Sequence, residues 1–318
     1  MPVVTQPGAA TGPGLQYGVT VQVEVSSIDG WQVLHEPAVY RFATPMGPLW
    51  ALLRPGRGEI LHVFFSCAID RAQIEAPYFH RVAASARLAG PVLFLSDPAL
   101  NLAPDVPSGW FAGTPGYDLP ADIERLIARA QDRLGTPRLV CFGASAGGYA
   151  ALVQSARVPG SLAVPVNPQT DVRKRATSRR FREVAWAGRF PDPAPTGDRF
   201  SILPTYLPGA FGNTVCYLQN RGDRLHVDRH LTPLAAQLGV PLTSGAQTAD
   251  GRFQLRLLDN GLAHAPIPDV EFWPLYDGAI ARWQSAGPGG RVRSGLPDQR
   301  RTGEQNGSGL SARTKPRS

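Results

Sequence analysis

A serine flanked by small residues lies near the middle of the chain, in the run Leu139-Val-Cys-Phe-Gly-Ala-Ser-Ala-Gly-Gly-Tyr-Ala-Ala-Leu152. Gly143-Ala-Ser145-Ala-Gly147 fits the pattern G-x-S-x-G, which holds a hydroxyl at a sharp turn between a strand and a helix. The chemistry of such a turn is attack on a carbonyl carbon, leaving an ester on the serine. The spacing has a steric reason, because strand and helix approach each other only when the residues two away on either side are small. The Ala146 N–H opens the following helix and is aimed where an oxyanion would form, and the helix dipole favours negative charge there. A Gly-rich turn that binds phosphate or merely closes a strand–helix unit is the competing reading. A P-loop is excluded, since no Gly-Lys-Ser/Thr follows.

A serine nucleophile needs a base, and the base needs an acid, in the chain order Ser, acid, His for this kind of turn. Three histidines lie downstream: His226, His230 and His264. His264 occupies Leu258-Asp-Asn-Gly-Leu-Ala-His-Ala-Pro-Ile-Pro268, a loop between the last strand and the last helix, where flanking prolines and Gly261 can hold an imidazole in place. It is the expected base, with His226 the alternative. Asp223, at the end of Val215-Cys-Tyr-Leu-Gln-Asn-Arg-Gly-Asp223, is the expected acid, holding the His264 tautomer whose Nε2 deprotonates Ser145. Asp228 competes but is a natural first-turn acid of the next helix, and Asp259 is too near the last strand. A second oxyanion donor is expected from the backbone of Ser66, Cys67 or Ala68, after the strand Ile60–Phe65. Cys67 as a second nucleophile loses to a residue whose backbone matters. Asn167 and Gln169, which end a strand near Ser145, and His226 are candidate substrate contacts, although Asn-Pro is equally a turn former. No metal or organic cofactor is implied.

These residues must be positioned by alternating strands and helices. Val19–Val25 alternates with period two, as a half-buried antiparallel strand does, and Ala38–Phe42 and Leu49–Leu53 are the next strand candidates. Glu59–Phe65 and Val92–Leu95 are nearly unbroken apolar runs, the signature of strands covered on both faces, with a helix-like stretch from Tyr78 to Ala89 between them. Helix Asp122–Leu134, strand Leu139–Phe142, helix Ala146–Arg157 and strands Leu162–Val166 and Val215–Leu218 follow. Helix Val227–Leu238, strand Phe253–Leu258 and helix Val270–Gln284 complete the series. Such alternation predicts an α/β fold with a mainly parallel sheet flanked by helices on both faces.

Composition sets outer bounds. A chain of 318 residues with 43% hydrophobic and 18% charged residues is globular. Its formal charge of +7 is uneven, because residues 286–318 hold seven basic and two acidic residues, a balance of +5, leaving +2 for the rest. That tail should be a disordered basic extension, and a nucleic-acid surface on the folded part does not follow. Residues 1–14 are read as a flexible start without secretory features, and no apolar run is long enough to span a bilayer. Cys67, Cys141 and Cys216 lie in or beside apolar runs without metal-type spacing, which suits reduced thiols in a cytoplasmic protein.

Residues 15–285 form the expected domain, interrupted at about 171–213 by an insertion that breaks the rhythm. It opens with six cations between Arg173 and Arg182, read either as a basic cap facing an anionic substrate or as a solvated helix face. Trp186, Phe190, Phe200, Tyr206 and Phe211 are expected to form the core of this cap, with the lining of an apolar pocket the alternative.

Several runs occur together in order: Phe64-Phe-Ser-Cys-Ala-Ile-Asp-Arg71 with Pro77 and Phe79, Gly109-Trp-Phe-Ala-Gly113, the Ser145 turn, Val166-Asn-Pro-Gln-Thr-Asp171, Leu218-Gln-Asn-Arg-Gly-Asp223 with His226, and His264-Ala-Pro-Ile-Pro268. Over roughly residues 55–285 the chain thereby resembles bacterial α/β-hydrolase proteins found with glycan and capsule biosynthesis, and distantly an accessory Sec secretion component. The resemblance implies an α/β-hydrolase fold with a cap insertion after the fold's sixth strand and a Ser145–Asp223–His264 triad. Many such relatives have glycine where this chain has Cys67. The expected function is serine-dependent hydrolysis of a carboxylic ester, the substrate a small-molecule or acylated-glycan ester. Acyl transfer to a sugar hydroxyl and a non-catalytic role in glycan biosynthesis or secretion are the alternatives.

Overall fold

In the computed structural model, residues 4–5, 14–194 and 197–286 are described. Apart from Ala286, the basic tail lies outside them, as does most of the N-terminal segment 1–14. Ten strands form one sheet: β1 Val4–Thr5, β2 Val21–Val25, β3 Ala38–Phe42, β4 Leu49–Arg54, β5 Ile60–Phe65, β6 Val92–Ser96, β7 Arg138–Ala144, β8 Leu162–Val166, β9 Thr214–Asn220 and β10 Phe253–Leu258. Their order is β1-β2-β3-β4-β6-β5-β7-β8-β9-β10. From β6 to β10 every neighbouring pair is parallel, while β4 runs antiparallel to both β3 and β6. With β1 and β2 set aside, β8 is the sixth strand, and the insertion leaves from it.

The central strands are mostly apolar because both faces are covered. Leu61, Val63, Phe65 and Cys141 point into a core with helices α1 (Leu119–Leu134) and α2 (Ala146–Arg157). Phe64, Phe94, Phe142 and Val164 point the other way, onto Phe272, Tyr276 and Trp283 of the C-terminal helix Asp269–Ser285. Helix α1 starts where the Asp118 side chain accepts from the Ala121 N–H, and stops at Gly135 in the left-handed conformation.

Two local expectations are corrected. Tyr78–Ala89 forms no α-helix, only turns and a 3₁₀ segment over Ala84–Arg87, with Arg81 at φ 59°. There Phe79 and His80 turn into the core while the Arg81 guanidinium reaches the Ile267 carbonyl and pairs with Asp269. Tertiary contacts thus override helical spacing. Strand β2 has the expected alternating face, but it pairs parallel with β3 and antiparallel only with Val4–Thr5. Period-two patterning sets the buried face and leaves strand direction open.

The insertion carries a 3₁₀ turn at Val172–Lys174 and helix α3 (Ser178–Ala185). Its aromatics pack on one another, with Phe190 stacked on Phe200 at 4.1 Å and Trp186 edge-on to Phe200 at 4.8 Å. None of these rings lines the cavity at Ser145.

Candidate active site

Ser145 lies between β7 and α2 with φ 53° and ψ −113°, a left-handed conformation that costs a non-glycine residue free energy. Its neighbours make the turn possible. A Cβ on Gly147 would stand 2.6 Å from the Phe65 carbonyl oxygen and 2.7 Å from that of Ser66, and one on Gly143 would collide with the Gly147 backbone. The Ser145 N–H is tied to the Val166 carbonyl of β8 at 2.9 Å.

The structure brings Ser145, Asp223 and His264 together from the ends of β7, β9 and β10. His264 Nε2 is 3.1 Å from Ser145 Oγ, and His264 Nδ1 is 2.6 Å from Asp223 Oδ2. Two asparagines fix the His264 loop. Asn220 Nδ2 donates to the carbonyls of Ala263 (3.1 Å) and Ala265 (3.0 Å), and Asn167 Nδ2 donates to Ala265 at 3.3 Å. Asn167 Oδ1 in turn accepts from the Asn220 N–H at 2.7 Å, so Asn167 lines the cavity while locking two strand ends together. His230 is buried behind the site, its Nδ1 accepting from the Thr170 N–H. Asp259 pairs with Arg221 at 2.5 Å on the surface, and neither Asp228 nor Asp259 reaches an imidazole.

His226 is buried at 1% exposure and does not line the cavity, which corrects its placement as a substrate contact. Its Nδ1 is 2.9 Å from Asp223 Oδ1, and its Nε2 is 2.7 Å from Gln169 Nε2. Gln169 Nε2 also donates to Ser145 Oγ at 2.9 Å. Trp110 settles every proton in this arrangement. An indole N–H only donates, so Gln169 Oε1, 3.0 Å from Trp110 Nε1, is the acceptor and Gln169 Nε2 is the amide nitrogen. His226 Nε2 must then accept, its Nδ1–H donates to Asp223, and the Ser145 O–H is left to point at His264 Nε2. The result is a closed ring: Ser145, Gln169, His226, Asp223, His264 and back to Ser145.

Sequence reasoning named the five residues but missed the ring, since it took Gln169 and His226 for substrate contacts, and it missed the ring's anchor, Asp97. This carboxylate is fully enclosed, accepting from the Ala99 N–H (3.0 Å), the Ser108 hydroxyl (3.1 Å), and the N–H groups of Gly109 (2.6 Å) and Phe111 (3.3 Å). It holds Trp110 and Phe111 at φ 55° and 56°, which aims the Trp110 indole at Gln169. The signal was Ser96-Asp97-Pro98 directly after a strand, an aspartate cap before proline.

Charge follows the wiring. Burial alone would raise the Asp223 carboxyl, but hydrogen bonds from His226 and His264 hold it well below the usual carboxylate range. Burial pushes His226 down, and the neighbouring His264 adds to this against the pull of Asp223. Asp223, His226 and His264 hold ligand-type atoms within 4.8 Å of one another. Both Nδ1 atoms face the carboxylate at hydrogen-bond distance and both Nε2 atoms have partners, which is the wiring of a proton path.

Backbone N–H groups that could receive an oxyanion lie at the Ser145 cavity. Ala146 is the first residue of α2, and Cys67 and Ala68 line the same cavity with N–H groups that have no acceptor among the described residues. Ser66 is out of the set, because its N–H is committed to the Leu95 carbonyl at 3.0 Å. The Cys67 thiol is 3.7 Å from His80 Nδ1, and burial raises its pKa. Cys67, Cys141 and Cys216 are all free thiols. The cavity has a volume of about 360 Å³ with mostly apolar walls, including Ile69, Pro107, Trp110 and Val166.

No family model matches the chain, and no curated protein does either. Among solved structures, a glycosylation-associated protein complex from Streptococcus agalactiae matches with a TM-score of 0.50 and 14% identity, covering 79% of this chain. The match spans 47% of that chain, about half its length. A capsule O-acetyltransferase of Neisseria meningitidis serogroup A matches at a TM-score of 0.46 and 13% identity, over 80% of this chain and 94% of that one. An α/β serine hydrolase without a lid from Xanthomonas campestris matches at 0.47 and 14%, over 81% of this chain and the whole of the other. Among the described residues no helix is long and apolar enough to cross a membrane. The strand order, with antiparallel β4 set between β3 and β6, and the sharp Ser145 turn after β7 identify the chain as an α/β-hydrolase-fold protein.

Proposed function

We propose that the protein is a serine-dependent carboxylic-ester hydrolase that works through an acyl-enzyme on Ser145. The observation that carries this is the unbroken path from Ser145 Oγ through His264 to Asp223, at 3.1 and 2.6 Å, opening onto an apolar cavity. The Oγ proton passes to His264 Nε2 as Oγ attacks the ester carbon, and Asp223 holds the Nδ1–H and supports the imidazolium. The N–H groups of Ala146 and of Cys67 or Ala68 receive the oxyanion. Collapse expels the alcohol with the proton from His264, and water, deprotonated by the same imidazole, releases the acid. The sequence motifs shared with glycan-associated α/β-hydrolase proteins make an acylated glycan the substrate class to try first.

A fluorophosphonate probe tests the reading, since it phosphonylates an activated serine without needing the natural substrate. Wild type should label and Ser145→Ala and His264→Ala should not. A folded wild-type protein that stays unlabelled, and hydrolyses neither simple esters nor acetylated glycans, would sink it.

A further inference from the structure

The six cations from Arg173 to Arg182 have different fates. Arg173 binds Asp198 at 2.7 Å, Arg179 binds Glu183 at 2.8 Å, and Arg180 binds Asp105 at 2.8 Å. The Arg182 guanidinium lies over the Phe190 ring, and exposed Lys174 points its ammonium at the Arg229 carbonyl. Arg175 alone of the six lines the Ser145 cavity. Like Arg182 it makes no side-chain hydrogen bond or ion pair among the described residues, but it has no aromatic ring beneath its guanidinium as Arg182 has. The Arg175 Nε is buried without a partner.

An orphaned, half-buried guanidinium beside a nucleophile is costly unless something returns the lost hydration. The described residues offer no remedy. Asp223 is the carboxylate whose field Arg175 feels, but both its oxygens are occupied by His226 and His264. The backbone of Arg175 is also pinned. Its N–H donates to Val172, and its carbonyl accepts from the N–H of Ser178 at 3.1 Å and the Ser178 hydroxyl at 2.7 Å. The guanidinium is therefore presented from a fixed base at the wall of a mostly apolar cavity. A planar fork with free donors matches the two oxygens of a carboxylate or phosphate group.

We propose that Arg175 is the anion anchor of this cavity, so that the substrate carries a carboxylate or phosphate group in addition to its ester. The proposal rests on Ser145 being the nucleophile, and the test separates the two. Three acetates of one shape would be compared: p-tolyl acetate, 4-acetoxybenzoate and 4-acetoxyphenyl phosphate. Phenyl pentanoate and monophenyl succinate would place the charge on the acyl side instead. In wild type, kcat/KM for at least one anionic ester should exceed that of its neutral partner by tenfold or more. That ratio should fall at least tenfold in Arg175→Gln and be partly kept in Arg175→Lys. A ratio within twofold of wild type in Arg175→Gln for every pair overturns the anchor. If wild type turns over no ester, calorimetric titration of Ser145→Ala with benzoate and phenyl phosphate decides independently. Binding that disappears in Ser145→Ala/Arg175→Gln keeps the anion site, while the fluorophosphonate label and acetylated glycans decide the hydrolase reading separately; binding that persists in the double variant, or no binding to Ser145→Ala, overturns the anion site.

Discussion

The imidazoles of His226 and His264 lie face to face, ring centroids 4.1 Å apart and 4° from parallel, and both donate through Nδ1 to the single carboxylate of Asp223. Two stacked imidazoles sharing one anion cannot both be cationic at low cost. In the proposed reaction His264 takes the Ser145 proton, so His226 must remain neutral, and its burial favours that state. The neutral ring keeps the lone pair that receives the Gln169 N–H, and Gln169 keeps its other N–H on Ser145 Oγ.

Replacing His226 with Phe keeps a ring in the stack and removes both of its hydrogen bonds. We expect kcat to fall by about tenfold to a hundredfold, the scale of one supporting hydrogen bond in a transition state, with little change in KM. Steady-state kinetics on p-nitrophenyl acetate and the rate of fluorophosphonate labelling should drop together. If both stay within twofold of wild type, the ring of hydrogen bonds only supports the fold.

Gln169 gives a signed comparison. Gln169→Leu deletes the donor to Ser145 Oγ, whereas Gln169→Glu puts an anion beside the oxygen that must become nucleophilic and draws a proton onto His226 Nε2. The Glu variant should be the slower of the two, by at least about tenfold, corresponding to roughly 1.4 kcal/mol in the barrier. A Glu variant as fast as the Leu variant would mean that Gln169 does not touch the reacting oxygen.

Much of this site was legible in the sequence, and the reason is that its chemistry is local. A serine between glycines, an aspartate after a strand and a histidine in a proline-flanked loop each announce themselves within ten residues, and chain order joins them. Gln169 and His226 stood out in the sequence only as candidate substrate contacts and Trp110 only as part of a shared run, because their hydrogen-bonded arrangement depends on who meets whom across the fold; Trp110 and Gln169 are 59 residues apart. The same limit explains Arg175, which looked like its five cationic neighbours until the ion pairs could be assigned. The fold was legible in its central strands, where both-sided burial writes itself as unbroken apolar runs. It was least legible at Tyr78–Ala89, where long-range contacts of His80 and Arg81 decide the backbone.

Asp97 offers a test of remote positioning. Asp97→Ala leaves the Ser108 hydroxyl and the N–H groups of Ala99, Gly109 and Phe111 without their common acceptor inside the protein. Unpaired buried donors of this kind cost about 1–3 kcal/mol each, so a loss of several kcal/mol in urea unfolding is expected. In the remaining folded protein, kcat should fall because Trp110 no longer orients Gln169. A variant with wild-type stability would show that the loop is held by other contacts.

Acid should unfold this protein early, and the sign follows from its buried histidines. Burial, reinforced by Arg54, Arg81 and His226 respectively, lowers His62 and His80 to about 4 and His230 to about 3. Each is depressed below the unfolded value of about 6.5, so as pH falls the unfolded chain binds the proton first. Their stabilising contribution is complete above about pH 6.5 and is lost through the window down to about 4, and to about 3 for His230. Each contributes a slope of up to about 1.4 kcal/mol per pH unit within it. Asp97 and Asp171, which burial raises, act with the opposite sign and reduce the net slope. Calorimetry at pH 7.5, 6.5, 5.5 and 4.5 should show Tm falling steeply below pH 6.5. His62→Phe costs its hydrogen bond to the Tyr276 hydroxyl, 2.8 Å away, and so starts from a lower Tm, yet its Tm should fall less steeply with acid. A Tm that is flat over this range, or an unchanged slope in His62→Phe, would remove the buried histidines as the cause.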